Sequence, residues 1–330
     1  MSDTINAIVA RERNGKVSGQ LETLAEDDLP NEDVLVQISH STLNYKDGLA
    51  VSGRGKICRR LPMVCGIDLA GVVRESRDSR FKAGDRVLVN GYDLSEKYWG
   101  GYAQRQRLRG DWLVPIPDAF TAEQAMALGT AGYTAMLSVH ALKDAGVTPD
   151  AGPALVTGAT GGVGAISVML LARLGYCVTG VTGKPDGAAF LQSLGATDTI
   201  AREELARDSR PLESETWAAV IDSVGGTTLA TALAQTRRGG IVAAVGLAGG
   251  FNLPTTVMPF ILRGVTLQGI DSVLAPQERR RRAWAALADW IDYEKLAGIY
   301  RIAPMSDLPA LANDILDSKI SGRVVINVNA

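Results

Sequence analysis

The spacing of apolar residues along the chain changes near residue 120. Before this point, short runs rich in β-branched residues are separated by Gly, Asp and Pro, a pattern typical of strands joined by turns. The clearest of these runs are Ala7–Arg11, Val34–Ser39, Gly71–Val73 and Arg86–Val89. Beyond it, apolar residues recur at helical spacing and alternate with short, continuous apolar runs. The pattern predicts a β-rich first part followed by a region in which strands and helices alternate.

The second region opens with a helix signal. Thr121 and Gln124 have the spacing of a capping box, which predicts a helix running through Leu128, and a second helix is predicted over Tyr133–Ala145. The elements that follow are the strands Tyr176–Thr182, Ala218–Asp222, Gly240–Val245 and Val265–Gly269 and the helices Ala188–Leu194 and Thr228–Gln235. This alternation predicts an α/β fold with a doubly wound parallel sheet.

The last sixty residues return to the first pattern. Arg279–Ile291 has the periodicity of an amphipathic helix, and we interpret its first four residues, all arginine, as a solvated face. Gly322–Val328 predicts a strand that rejoins the first domain.

A glycine-rich turn lies between a predicted strand and a predicted helix. Within residues 154–164 a short apolar run is followed by four glycines in seven residues. Gly158 suits a backbone conformation that other residues avoid, and Gly161 and Gly162 lack the Cβ that would block a pyrophosphate. Gly164 would let the helix pack closely on the strand, while the first helical amides face the phosphates. This order of elements predicts a dinucleotide-binding unit.

The end of the next predicted strand indicates which dinucleotide. An enzyme that prefers NAD places an acidic residue there for the ribose 2′-hydroxyl, but this chain has Thr182, Gly183 and Lys184. A hydroxyl and an ammonium group are good partners for a 2′-phosphate. The alternative is a lysine that is merely solvated at a strand end. We favour NADPH over NADH as the cofactor.

Composition narrows the class of protein. The 330 residues, 46% hydrophobic and 21% charged, suffice for two domains with a large core. A net charge of −2 offers no general attraction to nucleic acid or to an anionic membrane. The first residues lack the basic and apolar segments of a signal peptide, and no apolar run is long enough to span a bilayer. The three cysteines are scattered and Cys177 is predicted to be a core residue, which suits a reducing, cytoplasmic location.

Several motifs spread over nearly the whole chain carry a resemblance to a known superfamily. They are Leu43–Asp47, Pro62–Gly71, Gly84–Val87, Gly129–Met136, Gly246–Gly250, Pro254–Arg263 and Gly269–Ser272. With them the chain resembles the medium-chain dehydrogenase/reductase superfamily, and within it the acrylyl-CoA reductase branch, which is quinone oxidoreductase-like. The resemblance implies a GroES-like β-rich catalytic domain in 1–124, a Rossmann NADP-binding domain in 125–270 and a return to the catalytic domain in 271–330.

The chain departs from the zinc alcohol dehydrogenases of this superfamily. Those relatives carry Gly-His-Glu where this chain has Gly66, Ile67 and Asp68, and four zinc-binding cysteines in the lobe that here, between Val89 and Tyr102, has none. We therefore predict no metal, which makes alcohol oxidation unfavourable. Hydride addition to an alkene conjugated with a carbonyl needs no metal, because the carbonyl already withdraws electrons.

Tyr45 is the candidate for the reacting centre. It is predicted to lie in a turn after Val34–Ser39, where its phenol could donate a proton or a hydrogen bond to a developing enolate. The alternative is a tyrosine that only packs on the nicotinamide. Asn44 and Asp68 complete the candidate catalytic set, with Asp68 and Asp47 interpreted as parts of a hydrogen-bonded brace.

The substrate contacts are a separate hypothesis. Lys56, Arg59 and Arg60 form a basic loop that would attract the phosphates of coenzyme A, or else is simply solvated. The resemblance brings Arg323 near substrate. It also implies a cofactor-binding set consisting of Tyr45, Thr160, Gly161, Gly162, Val163, Thr182, Gly183, Lys184, Arg210, Leu247, Ile261, Ser272 and Asn327.

These observations favour an NADPH-dependent, zinc-independent reductase of a short 2-enoyl-CoA thioester, with acrylyl-CoA as the expected substrate. A quinone oxidoreductase would share every cofactor feature. A nucleotide-binding protein without catalysis is the third possibility. We expect no nucleic-acid or membrane partner, and a homodimer formed through the edge strand at 264–269.

Overall fold

The computed structural model describes residues 3–330. The first two residues lie outside the described residues. They belong to the predicted first domain and to the segment in which no signal peptide is predicted. The described chain forms two compact units. The first contains 3–130, 272–288 and 299–330, and the second contains 131–271 and 289–298. The sequence analysis placed 289–298 in the return to the first domain, whereas these residues group with the second unit.

The strands account for most of both units. In chain order they are β1 (Thr4–Arg13), β2 (Lys16–Ala25), β3 (Val34–Thr42), β4 (Met63–Val64), β5 (Asp68–Ser76), β6 (Arg86–Asn90), β7 (Arg105–Leu108), β8 (Val114–Pro115), β9 (Ala154–Val156), β10 (Val178–Thr182), β11 (Asp198–Ala201), β12 (Trp217–Asp222), β13 (Thr236–Ala244), β14 (Thr266–Gly269), β15 (Tyr300–Pro304) and β16 (Arg323–Asn327).

The helices complete the list of elements. They are α1 (Tyr45–Ser52), α2 (Ala122–Asp144), α3 (Gly162–Arg173), α4 (Gly187–Leu194), α5 (Gly226–Gln235), α6 (Met258–Arg263), α7 (Gln277–Trp290), α8 (Tyr293–Ala297) and α9 (Leu308–Leu316). Within residues 3–330, none of them combines the length and the apolar character needed to cross a membrane.

The first unit is built mainly on antiparallel strands. One sheet has the order β2-β1-β4, and the larger sheet has the order β15-β16-β3-β5-β6-β8, with β7 also paired to β3. The central strand β3 buries six of its nine residues, because neighbouring strands and the core cover it. The predicted return strand is confirmed, since β16 pairs antiparallel with β3.

The second unit is a parallel sheet in the order β11-β10-β9-β12-β13-β14. Its middle strand β9 is buried at every position, which is why its sequence is continuously apolar rather than alternating. The strand order reverses direction at β9, between β10 and β12, and such a switch point is where open α/β sheets bind ligands. The predicted doubly wound α/β fold is confirmed.

The predicted helix start at Thr121 is also confirmed. Gln124 N–H donates to Thr121 Oγ1 at 3.1 Å, and Thr121 N–H donates to Gln124 Oε1 at 2.9 Å. The two helices predicted after this cap form α2, which is interrupted at Gly129, where φ is +51° and ψ is −152°. Glycine tolerates this left-handed conformation without a Cβ clash.

Three local predictions were wrong. Tyr45 is the first residue of helix α1 and not part of a turn, because Asn44 caps the helix just before it. Cys177 is exposed, since β10 begins one residue later at Val178. Arg280 does not belong to a solvated arginine face. It is 1% exposed, and its guanidinium lies 3.9 Å from the centre of the Tyr92 ring and donates to four backbone carbonyls.

Candidate active site

A reciprocal cap starts helix α1 in the first unit. The backbone N–H and the side-chain amide of Asn44 both donate to Asp47 Oδ2, at 2.9 and 3.0 Å. The other oxygen, Asp47 Oδ1, accepts the backbone N–H of Ile67 at 2.9 Å. Asparagine at a helix N-cap with an acidic residue three positions later is a favourable combination, since each satisfies donors that the helix leaves unpaired. Asp47 therefore ties the start of α1 to the residue before β5.

Asp68 is the centre of the buried polar groups in this unit. Its Oδ2 accepts from Asn44 Nδ2 at 2.8 Å and from the backbone N–H of Thr130 at 2.9 Å. Its Oδ1 accepts from Asn90 Nδ2 at 2.7 Å and from the Thr130 hydroxyl at 2.5 Å. A carboxylate has about four acceptor sites, so these four donors occupy them all. Asp68 is fully buried and acts as a brace.

The break in α2 makes two of these contacts possible. Gly129 interrupts the helix directly before Thr130, so the Thr130 amide is free of the preceding helical ladder and turns to Asp68. A Cβ on Gly129 would lie 2.6 Å from Thr42 Cγ2 and 3.0 Å from Asp68 Oδ2. The close approach of the backbone to the carboxylate therefore requires glycine here.

Arg323 supplies the positive charge beside the two carboxylates. It is 4% exposed, and its guanidinium donates to the Ala127 and Leu43 carbonyls at 3.0 and 3.2 Å and to Thr42 Oγ1 at 2.7 Å. A weaker contact of 3.4 Å reaches Asn44 Oδ1. The guanidinium lies in the interior, and the predicted contact of Arg323 with substrate stays a prediction. We call Asn44, Asp47, Asp68 and Arg323 together the buried brace.

The charges of the buried brace affect one another. Burial, followed by the nearby charge of Asp68, raises the pKa of Asp47 to about 7, although the N–H donors from Asn44 and Ile67 partly oppose this. Burial lowers the pKa of Arg323, while the negative charges of Asp68 and Asp47 act in the opposite direction. Two carboxylates and one guanidinium thus share one water-poor region.

Tyr45 projects away from this network. It follows Asn44 in the chain, yet its side chain is 41% exposed, and its hydroxyl makes no hydrogen bond or ion pair with any of residues 3–330. Both amide hydrogens of Asn44 are already donated to carboxylates, so Asn44 has none left for a substrate. Tyr45 stays the candidate reactive group, and Asn44 and Asp68 hold the backbone just before it.

The glycine turn of the second unit has the backbone geometry of a phosphate cradle. Gly158 has φ +58°, and a Cβ on Gly164 would lie 2.4 Å from the Gly158 carbonyl oxygen. Gly161 is the N-cap of α3, which begins with Gly162 and Val163, directly after the buried Thr160. The first amides of a helix lack intrahelical acceptors and favour an anion. This arrangement fits a dinucleotide pyrophosphate.

Two cations stand together at the neighbouring strand ends. Strands β10 and β11 are parallel neighbours, with Thr182 opposite Ala201, so Lys184 and Arg202 follow adjacent carboxyl ends. A Cβ on Gly183 would lie 3.1 Å from Arg202 Nε, and Thr182 Oγ1 accepts the Lys184 backbone N–H at 3.1 Å. Burial, and after it the positive charge of Arg202, lower the pKa of Lys184. A 2′-phosphate fits these groups because it would compensate both positive charges.

Arg202 was not among the predicted cofactor contacts, whereas Arg210 was, and its contact with a cofactor stays a prediction. Arg210 is exposed, and its backbone N–H donates to Glu213 Oε1 at 3.2 Å. It precedes β12, whose amino end lies at the opposite edge of the sheet from the carboxyl ends of β10 and β11. The signal that would have identified Arg202 is its position directly after a strand that neighbours β10.

The remaining predicted cofactor contacts divide between the units. Leu247 and Ile261 are exposed in the second unit, while Ser272 and Asn327 are partly buried in the first. Asn327 ends β16, and its Oδ1 accepts the N–H of Asn329 at 3.0 Å. Their contacts with a cofactor stay predictions.

The predicted basic loop is less uniform than its sequence. Lys56 and Arg59 are exposed, and neither side chain has a hydrogen-bond or ion-pair partner within residues 3–330. Arg60 donates from Nε to the Lys97 carbonyl at 2.7 Å and lies 5.9 Å from the centre of the Tyr98 ring. Arg60 is therefore partly held by the protein, whereas Lys56 and Arg59 are available to an anion.

The side chains that could bind a metal ion are spread over the described residues. In the described part of the chain, no three His, Cys, Asp or Glu side chains form a group that could hold a metal ion. Asp68, which takes the place of a zinc ligand of related dehydrogenases, uses its oxygens for the four hydrogen bonds of the brace. The absence of a metal from the reaction stays a prediction.

Comparisons with known proteins agree with the two-part organisation. Residues 30–118 match the alcohol dehydrogenase GroES-like domain, and residues 162–292 match the zinc-binding dehydrogenase family. Acrylyl-CoA reductase AcuI of Ruegeria pomeroyi is 51% identical over 98% of this chain and 99% of its own length. The YhdH oxidoreductase of Salmonella enterica, solved in complex with NADP, is 48% identical, with a TM-score of 0.96 over 98% of this chain and 99% of that chain.

A third relative differs in the cofactor it was solved with. The YhfP protein of Bacillus subtilis, with NAD bound, is 41% identical, with a TM-score of 0.95 over 99% of this chain and 100% of that chain. Identity of this level over nearly the full length shows that these proteins are homologous to this chain. The chain belongs to the medium-chain dehydrogenase/reductase superfamily, in the branch that contains the AcuI acrylyl-CoA reductases.

Proposed function

We propose that this protein is an NADPH-dependent acrylyl-CoA reductase that converts the alkene of a short 2-enoyl-CoA to the saturated thioester, here propionyl-CoA. The single observation that carries the proposal is the 51% identity to AcuI over nearly the full length of both chains. The quinone oxidoreductase alternative shares the cofactor features and is distinguished by substrate.

The second unit supplies the cofactor site. The amides at the start of α3 would hold the pyrophosphate, and Lys184, Arg202 and the Thr182 hydroxyl would hold the 2′-phosphate. When bound, NADPH supplies a hydride for the β-carbon of the substrate. The positive charges on Lys184 and Arg202 support NADPH over NADH, because NADH lacks the 2′-phosphate that these two side chains would bind.

The first unit supplies Tyr45. Hydride addition to the β-carbon leaves negative charge on the thioester oxygen, and the α-carbon then takes up a proton. The exposed Tyr45 hydroxyl has no competing partner among residues 3–330, so it can donate a hydrogen bond to that oxygen or deliver the proton. The buried brace fixes Asn44 and hence the first turn of α1 that carries Tyr45.

Lys56 and Arg59 would bind the coenzyme A phosphates. Both are exposed and unpaired within the described residues, and a quinone would make no use of them. Arg60 would contribute less to binding these phosphates because its guanidinium already donates to the Lys97 carbonyl.

One side-by-side assay tests the substrate. NADPH oxidation is measured with acrylyl-CoA, crotonyl-CoA and a benzoquinone, and we expect acrylyl-CoA to give the highest kcat/KM. Faster reduction of the quinone would overturn the thioester assignment but leave the cofactor site untouched.

Two variants then separate binding from chemistry. Tyr45→Phe should lower kcat by about 10²–10⁴-fold if the hydroxyl transfers the proton, with the affinity for NADPH little changed. Lys56→Ala combined with Arg59→Ala should raise KM for acrylyl-CoA at nearly constant kcat, whereas the exposed control Arg301→Ala should change neither.

The protein is also proposed to act as a cytoplasmic homodimer. Strand β14 lies at the edge of the six-stranded sheet, and residues just before it expose large apolar side chains, with Val257 64% and Ile261 71% exposed. Antiparallel pairing of β14 with a second copy would cover both features. Sedimentation should give a dimer, and a monomer that persists at all concentrations would contradict the pairing.

The three cysteines form no disulfide, which supports the proposed location in a reducing compartment.

A further inference from the structure

Three loops of the second unit follow neighbouring strands at the same edge of the parallel sheet. The glycine turn follows β9, residues 223–225 follow β12, and residues 245–250 follow β13. Strands β9 and β12 pair in parallel, and so do β12 and β13, with Asp222 opposite Ala244. The carboxyl ends of these strands therefore bring the three loops together at the switch point of the sheet.

Thr157 and Asp222 join the first two loops. Thr157, the residue after β9, donates its hydroxyl to Asp222 Oδ1 at 2.6 Å. The backbone N–H of Ser223 donates to the same hydroxyl oxygen at 3.1 Å. The other carboxylate oxygen, Asp222 Oδ2, accepts the N–H of Gly225 at 2.8 Å. The Thr157 hydroxyl is thus a donor to the end of β12 and an acceptor for the loop that follows it.

The glycine turn lies directly against Ser223. The Ser223 hydroxyl donates to the Thr157 carbonyl at 2.9 Å. A Cβ on Gly158 would lie 2.4 Å from Ser223 Oγ, so the close approach requires glycine at this position of the turn. The start of the phosphate cradle is therefore packed on the first residue of the second loop.

Backbone hydrogen bonds extend the arrangement to the third loop. The N–H of Val245 donates to the Asp222 carbonyl at 2.8 Å, and the N–H of Gly249 donates to the Val224 carbonyl at 2.7 Å. The third loop also carries Leu247, a predicted cofactor contact, which is 59% exposed. The residues that hold the cradle thus also hold a loop on the other side of the switch point.

Thr157 and Asp222 themselves are out of reach of a ligand, because both are completely buried. They can act on a bound cofactor only through the loops that they hold. The ends of β10 and β11 fit the 2′-phosphate, which belongs to the adenosine half of NADPH. Because a dinucleotide binds across the switch point, the loops after β12 and β13 are left for the nicotinamide half.

We propose that Thr157 and Asp222 are positioning residues for NADPH. Their hydrogen bond fixes the phosphate cradle to the loops at 223–225 and 245–250, so that the two halves of the cofactor site keep one arrangement. Without this bond the loops would have to be ordered when the cofactor binds, and this ordering lowers affinity. The inference rests on the NADPH site of the proposed function and is independent of the substrate.

This role predicts an effect on cofactor choice that differs from the effect of Lys184. NADPH and NADH share the pyrophosphate and the nicotinamide half and differ only in the 2′-phosphate. Loss of the Thr157 hydroxyl should therefore weaken the binding of both cofactors by the same factor. Loss of Lys184 should weaken the binding of NADPH alone.

The test compares two isosteric substitutions in the second unit. Thr157→Val removes the hydroxyl that donates to Asp222. Thr236→Val is the matched control, because Thr236 is equally buried and donates its hydroxyl to the Ala232 carbonyl at 2.7 Å, but begins β13 at the opposite edge of the sheet. Urea unfolding without cofactor should show that both variants are destabilised. Titration by cofactor fluorescence should show Kd for NADPH and for NADH raised about five- to tenfold in Thr157→Val only.

A conservative variant distinguishes positioning from a general loss of stability. Thr157→Ser keeps the hydroxyl and should bind both cofactors within about twofold of the wild type, although the lost methyl group lowers the free energy of unfolding. Wild-type affinity in Thr157→Val would overturn the proposal. Equal weakening by Thr157→Val and Thr236→Val would also overturn it, because lower stability alone would then explain both.

Asp222→Asn tests whether the two residues act as a pair. The amide keeps one acceptor oxygen and places a donor where the other oxygen was, so Thr157 and Gly225 can no longer both donate to it. The double variant with Thr157→Val should bind NADPH within about twofold of Asp222→Asn, because the shared bond is already lost. Losses that multiply in full would contradict the pairing. If Asp222→Asn does not fold, the Thr157 variants still decide the positioning role.

Steady-state kinetics separate this proposal from the proposed function. In Thr157→Val the KM for NADPH should rise while the KM for acrylyl-CoA stays unchanged, since the proposed substrate contacts lie in the first unit. A rise in both KM values would contradict a role confined to the cofactor site. A wild type that binds NADPH but does not reduce acrylyl-CoA would contradict the proposed function alone, because the binding titration decides the positioning role.

Discussion

The buried brace of the first unit combines opposite charges, whereas Lys184 and Arg202 of the second unit, here called the cation pair, carry like charges. In the brace, two carboxylates lie with one guanidinium, and every oxygen of Asp47 and Asp68 accepts from a protein donor. At the ends of β10 and β11, two side chains of like charge stand together, and each is unfavourable for the other.

The difference indicates that the buried brace stabilises the fold, whereas the cation pair is suited to binding an anion. A buried polar group whose donors and acceptors are all matched stabilises one backbone arrangement, and removing one member leaves the others unsatisfied. Two cations near each other are unfavourable for one another, and a bound anion relieves this repulsion. Loss of the brace should therefore lower folding stability, while loss of a cation should lower ligand affinity and leave folding nearly unchanged.

The largest effect is expected for Asp68→Ala. The substitution leaves the Asn44, Asn90 and Thr130 donors without this acceptor and removes the larger of the two favourable carboxylate interactions of the buried Arg323. Breaking a buried charge pair in this way typically costs about 3–5 kcal/mol, so the free energy of unfolding in urea should fall by that amount. The exposed control Asp118→Ala should stay within about 0.5 kcal/mol. Equal stability of the two variants would break the contrast between the regions.

A smaller effect is expected for the cation pair. Lys184→Ala or Arg202→Ala should each weaken NADPH binding by about 1–3 kcal/mol, roughly five- to 150-fold in Kd, since each removes a charged partner of the 2′-phosphate. NADH binding and the urea midpoint should hardly change. Titration of the cofactor by its fluorescence measures both affinities.

Arg210→Ala is the matched control for this experiment. It removes the same charge from the same unit, but at an exposed position before β12. If Arg210→Ala weakened NADPH binding while Arg202→Ala did not, the assignment from strand neighbours would be wrong.

The two regions also differ in what the sequence could predict. The glycine turn is contained in eleven consecutive residues, and its flanking strand and helix have local periodicity, so the sequence alone predicts the phosphate cradle. The partners of Asp68 lie 22, 24 and 62 residues away, and such contacts exist only after the sheet has formed. The sequence could suggest Asn44, Asp47 and Asp68 as a brace, but not that Asn90, Thr130 and Arg323 contact them.

The errors have the same origin. Arg280 stands among three other arginines, and its helical pattern suggests a solvated face. Its guanidinium instead donates to the carbonyls of the segment just before the helix and to the distant Asn90 carbonyl, and it lies over the Tyr92 ring. Arg202 follows a strand with little apolar pattern, so its position beside Lys184 depends on the strand order and not on the local sequence. Tertiary contact outweighs local pattern in both cases.

The smallest change at each step of the measurement is a pH dependence that belongs to the brace alone. The pKa of Asp47 is about 7 in the folded protein and near 3.8 in the unfolded chain. Between these values the folded state holds a proton that the unfolded chain has released, so its stabilising effect is complete below about pH 4 and is lost as the pH rises through 7. The stability of the wild type relative to Asp47→Asn should therefore fall from pH 5 to pH 8, by at most about 1.4 kcal/mol for each pH unit. Urea unfolding of the wild type and of Asp47→Asn at each pH measures this difference. A difference that rises with pH would mean that Asp47 is already ionised at pH 5, with the donors from Asn44 and Ile67 and the charge of Arg323 outweighing burial. The brace would then resemble the cation pair in keeping its full charge at neutral pH, and the contrast between the two regions would rest on hydrogen bonding alone.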